Sequence, residues 1–388
     1  SAFYSASSIA ELVIPDSVTT LGSSAFRGAS SLEVVTLGSG ITKINDRLFR
    51  DATKITSITI PSSVTSIGFE AFQGTGLTSL VIPDSVTSIG NKSFYNAPIS
   101  SLTLGKSLEA WDTTGDNGAF YNICTTLTSL NIDASLIPNN AFSGCSKLSS
   151  LTLGDTVTDI GYNAFSGASA LTSFTIPSSV TSIGSSAFYS ASSIAELVIP
   201  DSVTTLGSSA FRGASSLEVV TLGSGITKIN DRLFRDATKI TSITIPSSVT
   251  SIGFEAFQGT GLTSLVIPDS VTSIGNKSFY NAPISSLTLG KSLEAWDTTG
   301  DNGAFHNICT TLTSLGIKAS SIPSNAFSGC SKLSSLTLGD TVTEIGYNAF
   351  SGASALTSFT IPSSVTSIGN SAFYSASSIA ELVIPDSV

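Results

Sequence analysis

The sequence predicts a mainly β solenoid, a stack of 22-26-residue coils with a continuous parallel sheet on one side and a spine of phenylalanines inside. Three observations predict it. The chain repeats itself at a shift of 185 residues: Ser1-Ala2-Phe3-Tyr4-Ser5 returns as Ser186-Ala187-Phe188-Tyr189-Ser190 and again as Ser371-Ala372-Phe373-Tyr374-Ser375. Within each unit a phenylalanine recurs at Phe3, Phe26, Phe49, Phe72, Phe94, Phe120, Phe142 and Phe165, which marks eight coils. Each coil also carries a short alternating apolar frame, as in Leu77-Leu80-Ile82, Ile99-Leu102-Leu104 and Leu148-Leu151-Leu153.

Each element of the coil follows from local chemistry. Alternation over so short a run is a strand with one buried face. A Pro or Gly then breaks it, as at Pro15, Gly38, Pro61, Pro83, Gly105 and Pro177. A second apolar pair follows three residues apart, as in Val64/Ile67, Val86/Ile89 and Val180/Ile183, and then commonly a Gly, expected to take a left-handed turn, ahead of the Phe. One coil cannot bury its own apolar side, whereas stacked coils hydrogen-bond to one another at ~4.8 Å and cover each other's phenylalanines.

The 388 residues divide into a first super-repeat of eight coils (1-185), a second (186-370) and the start of a third (371-388), expected to form one continuous solenoid. The two full copies differ only at Tyr121/His306, Asn131/Gly316, Asp133/Lys318, Leu136/Ser321, Asn139/Ser324, Asp159/Glu344 and Ser185/Asn370. Five of these seven differences lie between residues 121 and 139, in one coil. The sequence begins without Met inside a repeat, so it is expected to be a window from a longer protein, with any signal peptide, anchor or capping repeat outside it.

The run Leu77-Thr-Ser-Leu-Val-Ile-Pro-Asp-Ser-Val-Thr-Ser-Ile-Gly90, followed by Ser93-Phe94, resembles the BspA-type leucine-rich repeat, a family named for bacterial surface antigens and abundant in protist surface proteins. The resemblance covers essentially the whole chain. It implies a leucine-rich-repeat solenoid with a parallel sheet on one face and a second short extended or turn-like segment opposite. It further implies a surface or secreted location and roles in adhesion or host contact, and it supplies no catalytic residues.

Composition narrows the function classes. With 41% hydrophobic residues the chain is not disordered, and with only 11% charged residues its exposed strand positions fall to Ser and Thr. A net charge of −10 argues against nucleic acid and anionic membranes as partners, and no run of 18 apolar residues exists to enter a bilayer. Two nearly identical tandem copies do not suit an enzyme, which needs one active site.

Few residues carry chemistry. Cys124 and Cys145 each stand three residues before equivalent leucines of adjacent coils, and Cys309 and Cys330 repeat the arrangement. In-register stacking brings such pairs within disulfide reach, the alternative being two small buried free thiols. Two Cys per unit do not make a zinc site. His306, the single histidine, is Tyr121 in the first copy, which excludes a triad or metal ligand. Trp111 fills the slot of Ile89, a core position. The longest coil holds the loop Trp111 to Gly118, whose Asp112, Asp116 and Asn117 offer oxygens to weakly held calcium, without the spacing of an EF-hand; otherwise it is a solvated bulge.

Arg47, Glu70 and Lys92, with Arg232, Glu255 and Lys277 in the second copy, occupy one coil position and are expected to form an alternating ion-pair ladder that fixes register. The charged run from Lys43 to Lys54, including Arg47 and Arg50, joins the loop residues Trp111, Asp112, Asp116 and Asn117 as candidates for lateral contact. Asn91-Lys92-Ser93 and Asn276-Lys277-Ser278 are N-glycosylation sequons. Ser57, Ser79, Ser101, Ser129, Ser150 and Ser173 form one outward hydroxyl column, and Thr36, Thr59, Thr103, Thr152 and Thr175 another.

The expectation is an extracellular or cell-surface structural protein, a stiff stalk or filament that self-associates or bundles, without cofactor or catalytic residues. The alternative is a surface adhesin, a multivalent module for a host or cell-surface protein or glycan.

Overall fold

A computed structural model describes residues 1-111, 118-296, 303-305 and 307-388. Contacts gather them into two compact units, Ser1–Ile194 and Ala195–Val388. Each is a mainly β, parallel-strand solenoid of the expected leucine-rich-repeat kind, and the first serves for both.

Every coil has three sides. The first is the apolar frame, which forms the strands β1 (Glu11–Val13), β2 (Val34–Thr36), β5 (Ser79–Ile82), β7 (Ser101–Leu104), β9 (Ser129–Ile132) and β11 (Ser150–Leu153) and no strand at 55–60 or 171–176. The second is the two-residue strand of the second apolar pair: β3 (Lys43–Ile44), β4 (Ser66–Ile67), β6 (Ser88–Ile89), β8 (Ala110–Trp111), β10 (Leu136–Ile137), β12 (Asp159–Ile160) and β13 (Ser182–Ile183). The third is the turn around the phenylalanine. Strands of one kind pair in parallel and in register, Ser79↔Ser101↔Ser129↔Ser150 on the long side and Ile67↔Ile89↔Trp111 on the short side.

The strand alternates because one face is core: Leu80, Ile82, Leu102 and Leu104 are at most 2% exposed, while Ser79 and Val81 between them face out. The register also corrects the hydroxyl columns. Val81 and Asn131 stand among the threonines of the outer column, and Glu11, Val13 and Val34 head the columns, so exposed valines interrupt the hydroxyls. Other hydroxyls bond along the stack. Thr87 donates to the Thr65 carbonyl, which lies one coil back, at 3.2 Å, Thr65 to Thr42 at 3.2 Å, and Ser100 to Thr78 at 3.0 Å.

The phenylalanine turn is built differently from the sequence expectation. The glycines ahead of it, such as Gly68 and Gly90, have ordinary φ; the left-handed residues stand two before and two after the Phe, as in Arg47 (φ 57°) and Asp51 (φ 62°) around Phe49. Gly68 and Gly90 are required by proximity instead. A Cβ on Gly90 would sit 2.7 Å from the Phe69 nitrogen, inside the backbone of the coil before. With left-handed residues placed so, the N–H groups of Arg47, Phe49 and Asp51 all point along the stack and reach the carbonyls of Phe69, Ala71 and Gln73 at 2.8 Å, while the N–H groups between them close tight turns.

Phe3, Phe26, Phe49, Phe72, Phe94 and Phe120 stack with centroids 5.2–5.8 Å apart, and Phe142, Phe165 and Phe188 do the same. Burying each ring stabilises the stack by about 1.5–3 kcal/mol. The boundary between residues 185 and 186 lies inside the first unit and leaves no mark. Asn163, Phe165 and Gly167 donate to Ser185, Ala187 and Tyr189 at 2.7–3.0 Å, as in any other pair of coils.

Candidate functional site

The charged column is shorter than expected and better knit. Arg47 Nε donates to Glu70 Oε2 at 2.8 Å, and Arg50, three residues on in the same turn, donates its Nη1 to the same oxygen. Glu70 is only 8% exposed, so two guanidinium donors compensate the burial of its charge. Arg47 also lies over the Phe69 ring, 4.9 Å from its centroid. Lys92 makes no ion pair with Glu70; its Nζ lies over Tyr95 at 5.9 Å, so the alternating ladder ends at Glu70. The second copy is the same: Arg232 and Arg235 hold Glu255, and Lys277 covers Tyr280. Sequence spacing could not supply Arg50, which becomes a neighbour only through the tight turn.

Of the remaining lateral-contact candidates, Lys43 is exposed, and Lys54 pairs with Glu33 at 3.0 Å on the surface. The run from Lys43 to Lys54 is thus largely neutralised within the fold. Trp111 is 7% exposed and belongs to the core, which removes it as a contact residue. Asp112, Asp116, Asn117 and His306 lie outside the described residues. In the sequon, Asn91 is half-buried, but Ser93 is buried and its hydroxyl is held by the carbonyls of Gly68 (2.7 Å) and Gly90 (2.5 Å), so this face of the sequon is closed in the folded coil.

At one place in each copy the short-strand sheet, the turn hydrogen bonds and the phenylalanine spine are interrupted together, and several of the singled-out residues meet there. Between the turn at Phe120 and the turn at Phe142 only the long-strand sheet is unbroken, running β5-β7-β9-β11. The short-strand sheet stops at β8 and resumes at β10. Among the described residues, no backbone hydrogen bond joins the 118–122 turn to the 140–144 turn. The phenylalanine spine is interrupted as well, and the Trp111 indole fills the break, edge-on to Phe120 at 5.9 Å and tilted to Phe142 at 5.9 Å. Gly144 reports the same opening: a Cβ there would touch nothing within 4 Å, whereas at the equivalent Gly74 it would lie 3.0 Å from Asp51 of the coil before.

A covalent link spans this seam. Cys124, in the short 3₁₀ turn Ile123–Thr125, is bonded to Cys145 of the next coil with Cα atoms 4.1 Å apart, and Cys309 is bonded to Cys330 in the same way. The missing rungs leave a cavity of about 270 Å³ lined by Gly118, Phe120, Tyr121, Asn122, Cys124, Thr125, Asn140, Ala141 and Ser143. Tyr121 lines it and stacks on Tyr95 at 5.5 Å. The cavity thus lies in the coil that carries five of the seven differences between the copies. Among the described residues, no group of three or more His, Cys, Asp or Glu could hold a metal ion, and no helix is long and apolar enough to cross a membrane.

Comparison with known proteins agrees with this architecture. No curated protein matches the chain at the significance required. A solved leucine-rich repeat protein from Bacteroides ovatus is 27% identical, with a TM-score of 0.53 over 80% of this chain and 82% of its own. A leucine rich cell surface protein from Faecalibacterium prausnitzii is 24% identical, with a TM-score of 0.36 over 88% and 87% of the two chains. The family model described as the BspA type leucine rich repeat region matches residues 1–115, 113–241, 227–300 and 298–388. With matches along the whole length and the coil geometry in agreement, the chain belongs to the BspA-type leucine-rich repeat family.

Proposed function

We propose that the chain is a segment of an extracellular stalk, in which tandem 185-residue units continue one another as one stiff solenoid and associate side by side through the long-strand face. The observation that carries this reading is duplication down to single contacts. The Arg–Glu pair recurs at 2.8 Å, the disulfide at a Cα separation of 4.1 Å and the tryptophan wedge at 5.9 Å from the second phenylalanine, each 185 residues on. Such copying suits a part whose property is length and regularity. The disulfides suit an oxidising compartment. The long-strand face supports lateral association, because Val13, Val34 and Val81, 53–60% exposed and set among hydroxyls, suit packing against a second sheet.

Electron microscopy of chains built from two, four and six units tests the proposal. Contour length should grow by ~38 Å per unit, from eight coil spacings of ~4.8 Å. Bent or flexibly jointed particles would reject the stiff stalk, and monodisperse monomers at millimolar concentration would reject lateral association. An adhesin is the second reading. The clustering of the differences between copies in the seam coil favours it, since a binding module diversifies where it touches its ligand.

A further inference from the structure

The seam cavity has the chemistry of a sugar site, and we propose that it binds one residue of a neutral saccharide. In a regular turn the N–H groups of the Phe and of the residue two beyond it reach the next coil, as Phe49 and Asp51 do at 2.8 Å. At the seam their counterparts, Phe120 and Asn122, meet no carbonyl of the 140–144 turn. On the opposite wall the carbonyls of Ala141 and Ser143 correspondingly receive no N–H from the 118–122 turn. A ligand entering this gap finds donors on one wall and acceptors on the other, which matches hydroxyl groups that do both.

The side chains extend the match. The Asn122 amide donates through Nδ2 to Asn96 Oδ1 at 2.9 Å, which turns its own carbonyl oxygen toward other partners. Asn140 accepts from Asn163 Nδ2 at 3.3 Å through its Oδ1, which leaves its N–H groups. The cavity therefore holds one oriented amide acceptor and one oriented amide donor, the pair that recognises two adjacent hydroxyls. The stacked rings of Tyr95 and Tyr121 add an apolar face for the C–H side of a pyranose ring. None of the described lining residues carries a charge, in keeping with a neutral ligand. A volume of about 270 Å³ is just below the ~300 Å³ at which sites for drug-sized ligands begin, and suits a single ring.

The disulfide gives the site its rigidity. Cys124 is part of the lining, and its bond to Cys145 holds the two walls at a fixed separation where hydrogen bonds do not. The second copy exchanges Tyr121 for His306 and, beside Asn140, Asn139 for Ser324. The residues at these positions therefore differ in chemistry between the copies. This inference stands apart from the stalk: stiffness does not require sugar binding, and sugar binding does not require stiffness.

Saturation-transfer NMR on the 388-residue chain, with glucose, galactose, mannose and N-acetylglucosamine as separate probes, tests it. At least one sugar should give a saturable signal with a dissociation constant on the order of millimolar, as expected of one ring in a shallow pocket. Asn122→Gly and Asn140→Gly remove the amides while keeping the left-handed backbone that both positions require, so the coil still folds. Each should weaken binding about tenfold. Reduction of the disulfides should weaken it as well. Absence of saturable binding by all four sugars, binding unchanged in both glycine variants, or preference for a charged sugar or an extended peptide over the neutral sugars would overturn the proposal.

Discussion

The turn pair at Phe49 and Phe72 and the turn pair at Phe120 and Phe142 are one motif in two conditions. The first pair is closed on the short-strand side, where β3 pairs with β4, and at the turn, where three N–H groups donate to the next coil with a ring stacked at 5.6 Å. The second pair keeps only the long-strand sheet and fills the rest with an indole, a disulfide and an open cavity. The closed pair is unchanged between the copies, whereas the open coil carries five differences. Where the turn N–H groups are committed to a neighbour, a side-chain change is felt in two coils at once. Where the rungs are missing, the chain is free to vary and to meet something else.

The largest effect that sharpens this contrast should come from the spine. Phe72 is fully buried between two stacked rings, and Phe72→Ala should cost about 3–5 kcal/mol, read as a lower urea midpoint. A loss below ~1 kcal/mol would show that the regular stack is looser than its geometry.

Next comes the covalent link. Replacing Cys124 by Ser and Cys145 by Ala opens a loop of 21 residues and should cost about 2–4 kcal/mol. The loss should appear in hydrogen exchange at residues 118–148, with the turns at Phe49 and Phe72 unchanged. Equal loss of protection in both regions would deny that the seam is a separate weak point.

A pair of glycine substitutions breaks the comparison most directly. Gly90→Ala drives a methyl group to 2.7 Å from the Phe69 nitrogen and should cost about 1–3 kcal/mol, because backbone must move. Gly144→Ala meets open space and adds only the strain of a left-handed alanine (φ 83°), about 1 kcal/mol. Thermal unfolding of the two variants ranks them, and a reversed order would mean that the seam is closed.

Much of this was legible in the sequence, because stacking repeats its chemistry. The period of the phenylalanines, the alternation of Leu80 and Ile82 and the Trp111 slot each reported a core position, since a solenoid presents the same environment at the same step. The glycines were ambiguous. Gly68 serves either a positive φ or the absence of a Cβ, and only the neighbouring coil decides between them. The left-handed positions fell on Arg47, Glu70 and Lys92, whose charges announce ion pairing and say nothing of φ. The seam left four separate traces: a 26-residue step, a tryptophan in an isoleucine slot, a cysteine pair and a cluster of differences. Their meeting at one gap depends on which hydrogen bonds fail to form, and a failed bond has no residue type of its own.

The smallest effect concerns charge in the regular coils. Ser39 donates its backbone N–H to Asp16 Oδ1 at 2.7 Å across one coil step. That bond, and secondarily the Ser39 hydroxyl, hold the Asp16 carboxyl below its usual range, as Ser224 does for Asp201. A lowered folded pKa means that the folded chain favours the carboxylate. The contribution is therefore full above the ordinary aspartate range and disappears as pH falls through the depressed folded value. Both carboxylates are exposed, so the effect is small. Replacing Asp16 and Asp201 together by Asn keeps an acceptor oxygen but removes the charge. Urea midpoints of wild type and variant should differ slightly at pH 6 and converge as the pH falls below the ordinary aspartate range. A difference that stays constant with pH would show that the two aspartates act as neutral turn formers. The carboxylates of the closed coils would then contribute by shape alone, as the disulfide-linked atoms of the seam, which do not titrate, already must.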